Sequence, residues 1–192
     1  MVTRSSACAV LLATLASPAL AQTKSVDRQV QEAISALPNA LRDGATVMGY
    51  RGDQLEVIRQ GTGEMICLAD NPTDDRWHIA CYHVDLEPFM ARGRGLRTQG
   101  VTDVNAARTK EVEAGQLPFP TTARELYSLT GTDDSFDPTT GESSASGLLV
   151  LYIPYATQES SGVSTAPSRT NPWLMNPGQL LAHVMIPRPP NP

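Results

Sequence analysis

The chain has 192 residues, a formal net charge of −5 and 41% hydrophobic residues, which fits one domain with a sizeable core. Its cations are scattered. The densest run, RGRGLR with Arg92, Arg94 and Arg97, is short enough to read as a solvated helix face, with binding of an anionic ligand as its alternative. Attraction to nucleic acid or to an anionic lipid surface is therefore not expected.

Residues 1–21 hold one cation, Arg4, an apolar run broken by Ser17 and Pro18, and the triplet ALA before Gln22. These features predict a secretory signal peptide over 1–21, because the run is too short to span a bilayer. An exported domain over 22–192 follows, periplasmic or secreted, with no membrane attachment after cleavage. The net charge becomes one unit more negative when Arg4 leaves with the leader.

Processing also removes Cys8, which leaves Cys67 and Cys81. A pair of cysteines in an exported chain favours a disulfide, and the chain-entropy treatment gives about 3 kcal/mol for closing such a loop. The competing arrangement is a metal site built from Cys67, His78, Cys81 and His83. In a strand, however, His78 and Cys81 point to opposite faces, and no two ligands separated by two residues sit in a tight turn.

In chain order, KSVDRQVQEAISAL places Val26, Val30, Ile34 and Leu37 on one helical stripe ended by Pro38. ATVMGY and LEVIRQ read as two strands joined at RGDQ. QGTGE turns into a third strand, MICL, and the ADNPTDDR loop leads to WHIACYHV, apolar on both sides as a central strand should be. These four predict a meander. LEPFMARGRGLR, TDVNAARTKEVEAG and TTARELYSLTG read as helices, the second stopped by Gly115 and the third carrying Leu126, Tyr127 and Leu129. LLVLYIP from Leu148 and HVMI at 183–186 are further strands. Between them, YATQESSGVSTAPSRTNPWLMNPGQ shows no periodicity and is longer than an ordinary connection. The tail PRPPNP reads as a solvated extended end. The fold class is α+β: a mainly antiparallel sheet of about six strands with helices packed on it, in a single domain with one disulfide.

At GTGEMICLADNP the chain resembles a family of uncharacterised exported bacterial proteins. The family pattern is a Gly-Thr turn, a Cys-Leu-x-Asp-Asn-Pro segment, a second cysteine and a C-terminal His-x-Met-Ile strand. It falls here on Gly61, Thr62, Cys67, Leu68, Asp70, Asn71, Pro72, Cys81, His183, Met185 and Ile186. The chain departs from it at Glu64 and Met65, where a glycine and a tryptophan are usual, and in a longer helical middle. The resemblance implies secretion and the disulfide, and no activity.

No residue pattern dictates a reaction. GESSASG lacks the second glycine and the strand–turn–helix setting of a nucleophile elbow. Asp133, Asp134, Asp137 and Glu142 in DDSFDPTTGE suit a hard cation, but their spacing is not that of a calcium loop and turn chemistry accounts for them. His78, His83 and His183 read as packed strand residues. If His83 and His183 met Asp85 or Glu87 in one pocket, a general base or metal centre would result. Trp77, Tyr82, Tyr152, Tyr155 and Trp173 fit either a core or a ligand groove. Trp173, in a polar connection, either anchors it or meets a partner. The leading expectation is an exported domain with a non-enzymatic binding or structural role, no cofactor, and an unknown small molecule or envelope protein as partner. Its candidate ligand contacts are Trp173 and Tyr155. The alternative is a small hydrolase or metal-dependent enzyme using His83, His183 and Glu87 or its neighbour Asp85.

Overall fold

The computed structural model describes residues 24–73 and 75–188; the leader expected over 1–21 and the end of the tail lie outside them. Helix α1 (Val26–Ile34) is capped by Ser25, whose side chain accepts the Arg28 N–H. Helix α2 (Asn39–Arg42) follows Pro38. The strands are β1 (Thr46–Arg51), β2 (Gln54–Arg59), β3 (Met65–Leu68) and β4 (Trp77–His83). Next come α3 (Glu87–Thr98), α4 (Val104–Glu113), β5 (Arg124–Gly131) and the short pair β6 (Phe136–Asp137) and β7 (Glu142–Ser143). Strand β8 (Ser146–Tyr152), helix α5 (Gln158–Ser161), β9 (Trp173–Met175) and β10 (His183–Arg188) complete the described chain.

Eight strands form one sheet in the order β2-β1-β3-β4-β5-β8-β10-β9. It is mixed: β1 and β3 run parallel, and every other neighbouring pair is antiparallel. The sheet is thus larger than the expected six strands, and its first four are not a meander. After the β1–β2 hairpin, turned at Gly52 with φ 64°, residues 60–64 cross the start of β1 and place β3 on its far side. Gly61 permits that crossing, since a β-carbon there would lie 2.2 Å from the Gly44 carbonyl oxygen.

The two additional strands have separate causes. The segment expected as a helix around Leu126, Tyr127 and Leu129 is strand β5, held between β4 and β8 along most of its length. Its local composition suits a helix, and tertiary pairing overrides that preference. Strand β9 lies within the long aperiodic connection and is three residues long, too short to show a period. Pro187 and Arg188, expected in the extended tail, instead continue β10 along Leu148 and Gly147.

One face of the sheet carries Trp77, Ile79 and Cys81 of β4 with Leu129 and Tyr127 of β5, and packs on α1. Further along that face, Leu151, Val184 and Ile186 meet Ala156, Val163 and Leu174 of the 153–182 connection. The opposite face presents Tyr82, Tyr152 and His183 toward α3 and α4. There Tyr82 donates to Glu87 Oε2 at 2.5 Å and accepts from Arg94 at 2.9 Å, while Arg94 also binds Glu87 at 2.6 Å. Burial pushes the Tyr82 phenol far above its usual range, with Glu87 adding to it.

Cys67 and Cys81 face each other directly across β3 and β4 and form a disulfide, both fully buried. The bond joins adjacent strands across the loop at 69–76 and stabilises the fold by about 3 kcal/mol on the chain-entropy treatment. No helix among the described residues is long and apolar enough to cross a membrane.

The buried face of α1 departs from its apolar stripe. Gln29, Glu32 and Ala33 are buried, and Val26, Val30 and Ile34 are only partly so. Gln29 exchanges hydrogen bonds with the backbone of Tyr50, accepting its N–H at 2.7 Å and donating to its carbonyl at 2.9 Å. Glu32, at 0% exposure, accepts from Lys24 (3.0 Å), Arg28 (2.5 Å) and the Trp77 indole (3.3 Å). Lys24 also reaches Asp70 and Asp133. Burial alone would lower the Lys24 ammonium, but its carboxylate partners outweigh that and hold it above its ordinary value. Substituting Glu32→Gln keeps the shape and removes the charge that two cations share. It should lower stability by about 1–3 kcal/mol, read as a shifted urea midpoint with unchanged slope.

Candidate functional site

A cleft of about 440 Å³ opens between α4 and residues 176–181. Asp103, Asn105, Ala106, Thr109, Lys110 and Glu113 form one wall. Asn176, Gln179, Leu180 and Leu181 form the other. No histidine, cysteine or serine is among the described residues lining it.

Each wall is positioned by its own backbone. Asp103 caps α4 by accepting the Ala106 N–H at 3.0 Å, and Gly115, with φ 70°, follows its end. On the other side, Asn176 at φ 53° and Gly178 at φ 75° fold the chain back after β9. Gly178 N–H donates to Ala156, Tyr155 N–H to Gln179, and Ala182 N–H to Gln179. The connection that looks featureless in sequence is therefore a cross-bonded wall.

An aromatic line ends at His183, two residues after the second wall: Phe89 against Phe119 (ring centroids 4.7 Å apart), Phe119 against Tyr152 (6.1 Å), and Tyr152 against His183 (5.2 Å). His183 Nδ1 lies 2.7 Å from the Leu181 carbonyl, so this nitrogen carries the proton in the neutral ring and Nε2 is the acceptor. Burial lowers the His183 pKa, and the Leu181 bond only partly offsets it. Burial likewise raises Tyr152, with Arg108 opposing.

Arg108 closes this region from the α4 side. It is 6% exposed, stacks 3.8 Å from the Phe89 ring centre, and donates to Phe89 O at 3.0 Å and Asn105 Oδ1 at 2.5 Å. Its Nε has no acceptor among the described residues. Desolvation lowers its pKa to about 10, so it stays cationic at neutral pH. Gly93 on α3 makes room for it, because a β-carbon there would lie 2.7 Å from Nη1.

The histidines singled out in the sequence are not brought together. His83 is on β4 and His183 on β10, with β5 and β8 between them. His83 shares the Cys81 side of β4 by strand alternation, whereas His183 stands beside Tyr152 on the opposite face. His83 Nδ1 accepts the Asp85 N–H, Asp85 binds Arg124, and Glu87 is held by Tyr82 and Arg94. His78 Nδ1 lies 2.8 Å from the Thr130 hydroxyl. Among the described residues no group of three or more His, Cys, Asp or Glu could hold a metal ion.

The remaining candidates have local roles. Trp173 lies on edge strand β9, half-buried and paired with Met185, while its neighbour Leu174 enters the core. Tyr155 is 55% exposed at φ 61° and supports the cleft only through its backbone. Asp137 accepts from Thr139 and Thr140 in a turn, and Asp133 pairs with Lys24. Ser143 Oγ donates to the Ser135 carbonyl, away from any elbow. Arg92 pairs with Glu111 across α3 and α4. Sequence reasoning missed Asn105 and Arg108. Their one signal was that TDVNAARTKEVEAG lacks a clean apolar stripe, which implies a partly polar inner face.

No family model, curated protein or solved structure matches this chain.

The half-buried His183 ring, its pKa lowered by desolvation, makes folding sensitive to acid. Its folded pKa is depressed, so its contribution is complete above the unfolded value near 6.5 and is lost as pH falls below that toward the folded value. Urea midpoints measured from pH 7.5 to 5 should fall more for the wild type than for His183→Gln.

Proposed function

We propose that this chain is an exported, non-enzymatic binding domain that takes a small polar solute in the cleft between α4 and residues 176–181. The observation that carries this reading is the lining itself. Side-chain amides, a hydroxyl and single charges converge on one concavity beside a short apolar floor at Leu180 and Leu181, as small-molecule sites commonly do. The backbone hydrogen bonds that hold the second wall support it, since a preformed site loses little freedom on binding.

Export rests on the leader pattern, on the likeness to exported bacterial proteins at 61–72, and on the disulfide, which persists in an oxidising compartment. The periplasm or the external medium would be the working location. Expressed with its leader in a bacterial host, the protein should give an intact mass that starts at Gln22; a mass that starts at Met1 would oppose export by cleavage.

Native mass spectrometry of the same material tests the cleft. The wild type should retain a co-purified small molecule, and Thr109→Trp, which fills the space between the walls, should lose it while keeping the wild-type circular dichroism. Identical, ligand-free spectra from both proteins would overturn the reading.

A further inference from the structure

We infer that the α4 wall of this cleft recognises a carboxylate, through the amide N–H groups of Asn105 and the ammonium of Lys110. The inference rests on the cleft being the binding site and adds the chemical class of what binds there.

Arg108 is a cation with no carboxylate partner among the described residues. It is nine-tenths buried, and its contacts among the described residues are a backbone carbonyl, an aromatic face, the Met90 sulfur and one amide oxygen. A guanidinium donates only. The Asn105 side chain must therefore turn its oxygen toward Arg108, and the opposite orientation would press an NH₂ group against a cation. With Oδ1 committed inward at 2.5 Å, both Nδ2 hydrogens serve the other side of the amide. Asn105 lines the cleft, so an asparagine that could accept or donate is fixed as a donor.

The charge on this wall has the same preference. Lys110 lines it as well, and Arg108, bonded to Asn105, adds a second cation; against these two the Asn105 end of the wall carries one carboxylate, Asp103, which caps α4. A hydrogen-bond acceptor with negative charge suits both the Asn105 donor and this excess of positive charge. Glu113 stands about 12 Å from Asn105 along the helix axis. That separation exceeds the span of an α-amino acid and fits a short peptide, whose C-terminal carboxylate would meet Asn105 and whose ammonium would reach Glu113. A simple dicarboxylate would use the Asn105–Lys110 end alone.

Titration calorimetry with succinate and with trialanine as probes tests this, and C-terminally amidated trialanine serves as the carboxylate-free control. At least one carboxylate probe should bind, and trialanine, if bound, should exceed its amide by about 10- to 100-fold, the range for losing a hydrogen bond to a charged group. Binding of trialanine alone assigns a peptide end; binding of succinate, alone or equally, assigns a free carboxylate. Asn105→Asp should weaken that binding by the same factor while folding normally, because the new carboxylate pairs with Arg108 and repels the ligand. Unchanged binding by Asn105→Asp overturns the inference. So does an absence of heat with both probes when Thr109→Trp still strips the co-purified solute, and in that case the cleft stands as a site for another chemistry. Retention of the solute by Thr109→Trp removes both.

Discussion

Glu32 is a carboxylate with no access to water, placed between a helix and the middle of a sheet. Leaving it there unpaired would cost several kcal/mol, so everything around it is arranged as compensation. Lys24 and Arg28 bring charge from α1 and its approach, and Trp77 brings an indole N–H from β4. Because Lys24 is shared with Asp70 and Asp133, one ammonium ties together the start of the described chain, the loop after β3 and the turn after β5. The disulfide reinforces the same place, since the Cys81 sulfur lies 3.2 Å from the Ala33 carbonyl of α1. Helix position, strand β4 and the 69–76 loop are thus constrained by one buried cluster.

The two faces of the sheet solve burial differently. Toward α1 the core is apolar with an ionic centre. Toward α3 and α4 it is aromatic, with Tyr82 clamped by Glu87 and Arg94, and with Phe89, Phe119, Tyr152 and His183 in a line. Arg108 belongs to this second face and differs in kind from Glu32. Its charge is met by a π-face, two neutral oxygens and the Met90 sulfur, a weaker compensation. A fold that neutralises one buried ion thoroughly and another incompletely has placed the second beside its cleft, and perturbed or under-compensated groups concentrate at such places.

Much of this was legible from residue order. The six expected strands are present, α1, α3 and α4 lie where their segments predict, and Cys67 and Cys81 are joined. The failures have physical reasons. The β5 segment carries residues that suit a helix, and only its neighbours β4 and β8, distant in sequence, decide otherwise. Strand β9 is too short to announce itself. In α1 the apolar stripe was visible but Glu32 and Gln29 were not recognisable as buried, because their partners come from Trp77 and Tyr50. The cleft was invisible for the same reason: one wall is a helix of weak pattern and the other an aperiodic connection. Neither wall carries the histidines that drew attention in the sequence.

One contact links the extremes of the described chain. Arg188 on β10 donates to the Ala36 carbonyl at 3.0 Å, and Arg42 donates to the carbonyls of Ser35 and Leu37. Two guanidiniums therefore close the carboxyl end of α1, one from nearby and one separated by 152 positions. Strand β10 also fills the sheet between β8 and β9. The cap of α1 and the seating of β10 therefore depend on each other across nearly the whole described chain. Such a clasp makes the first described helix and the last described strand loosen together, as one cooperative unit.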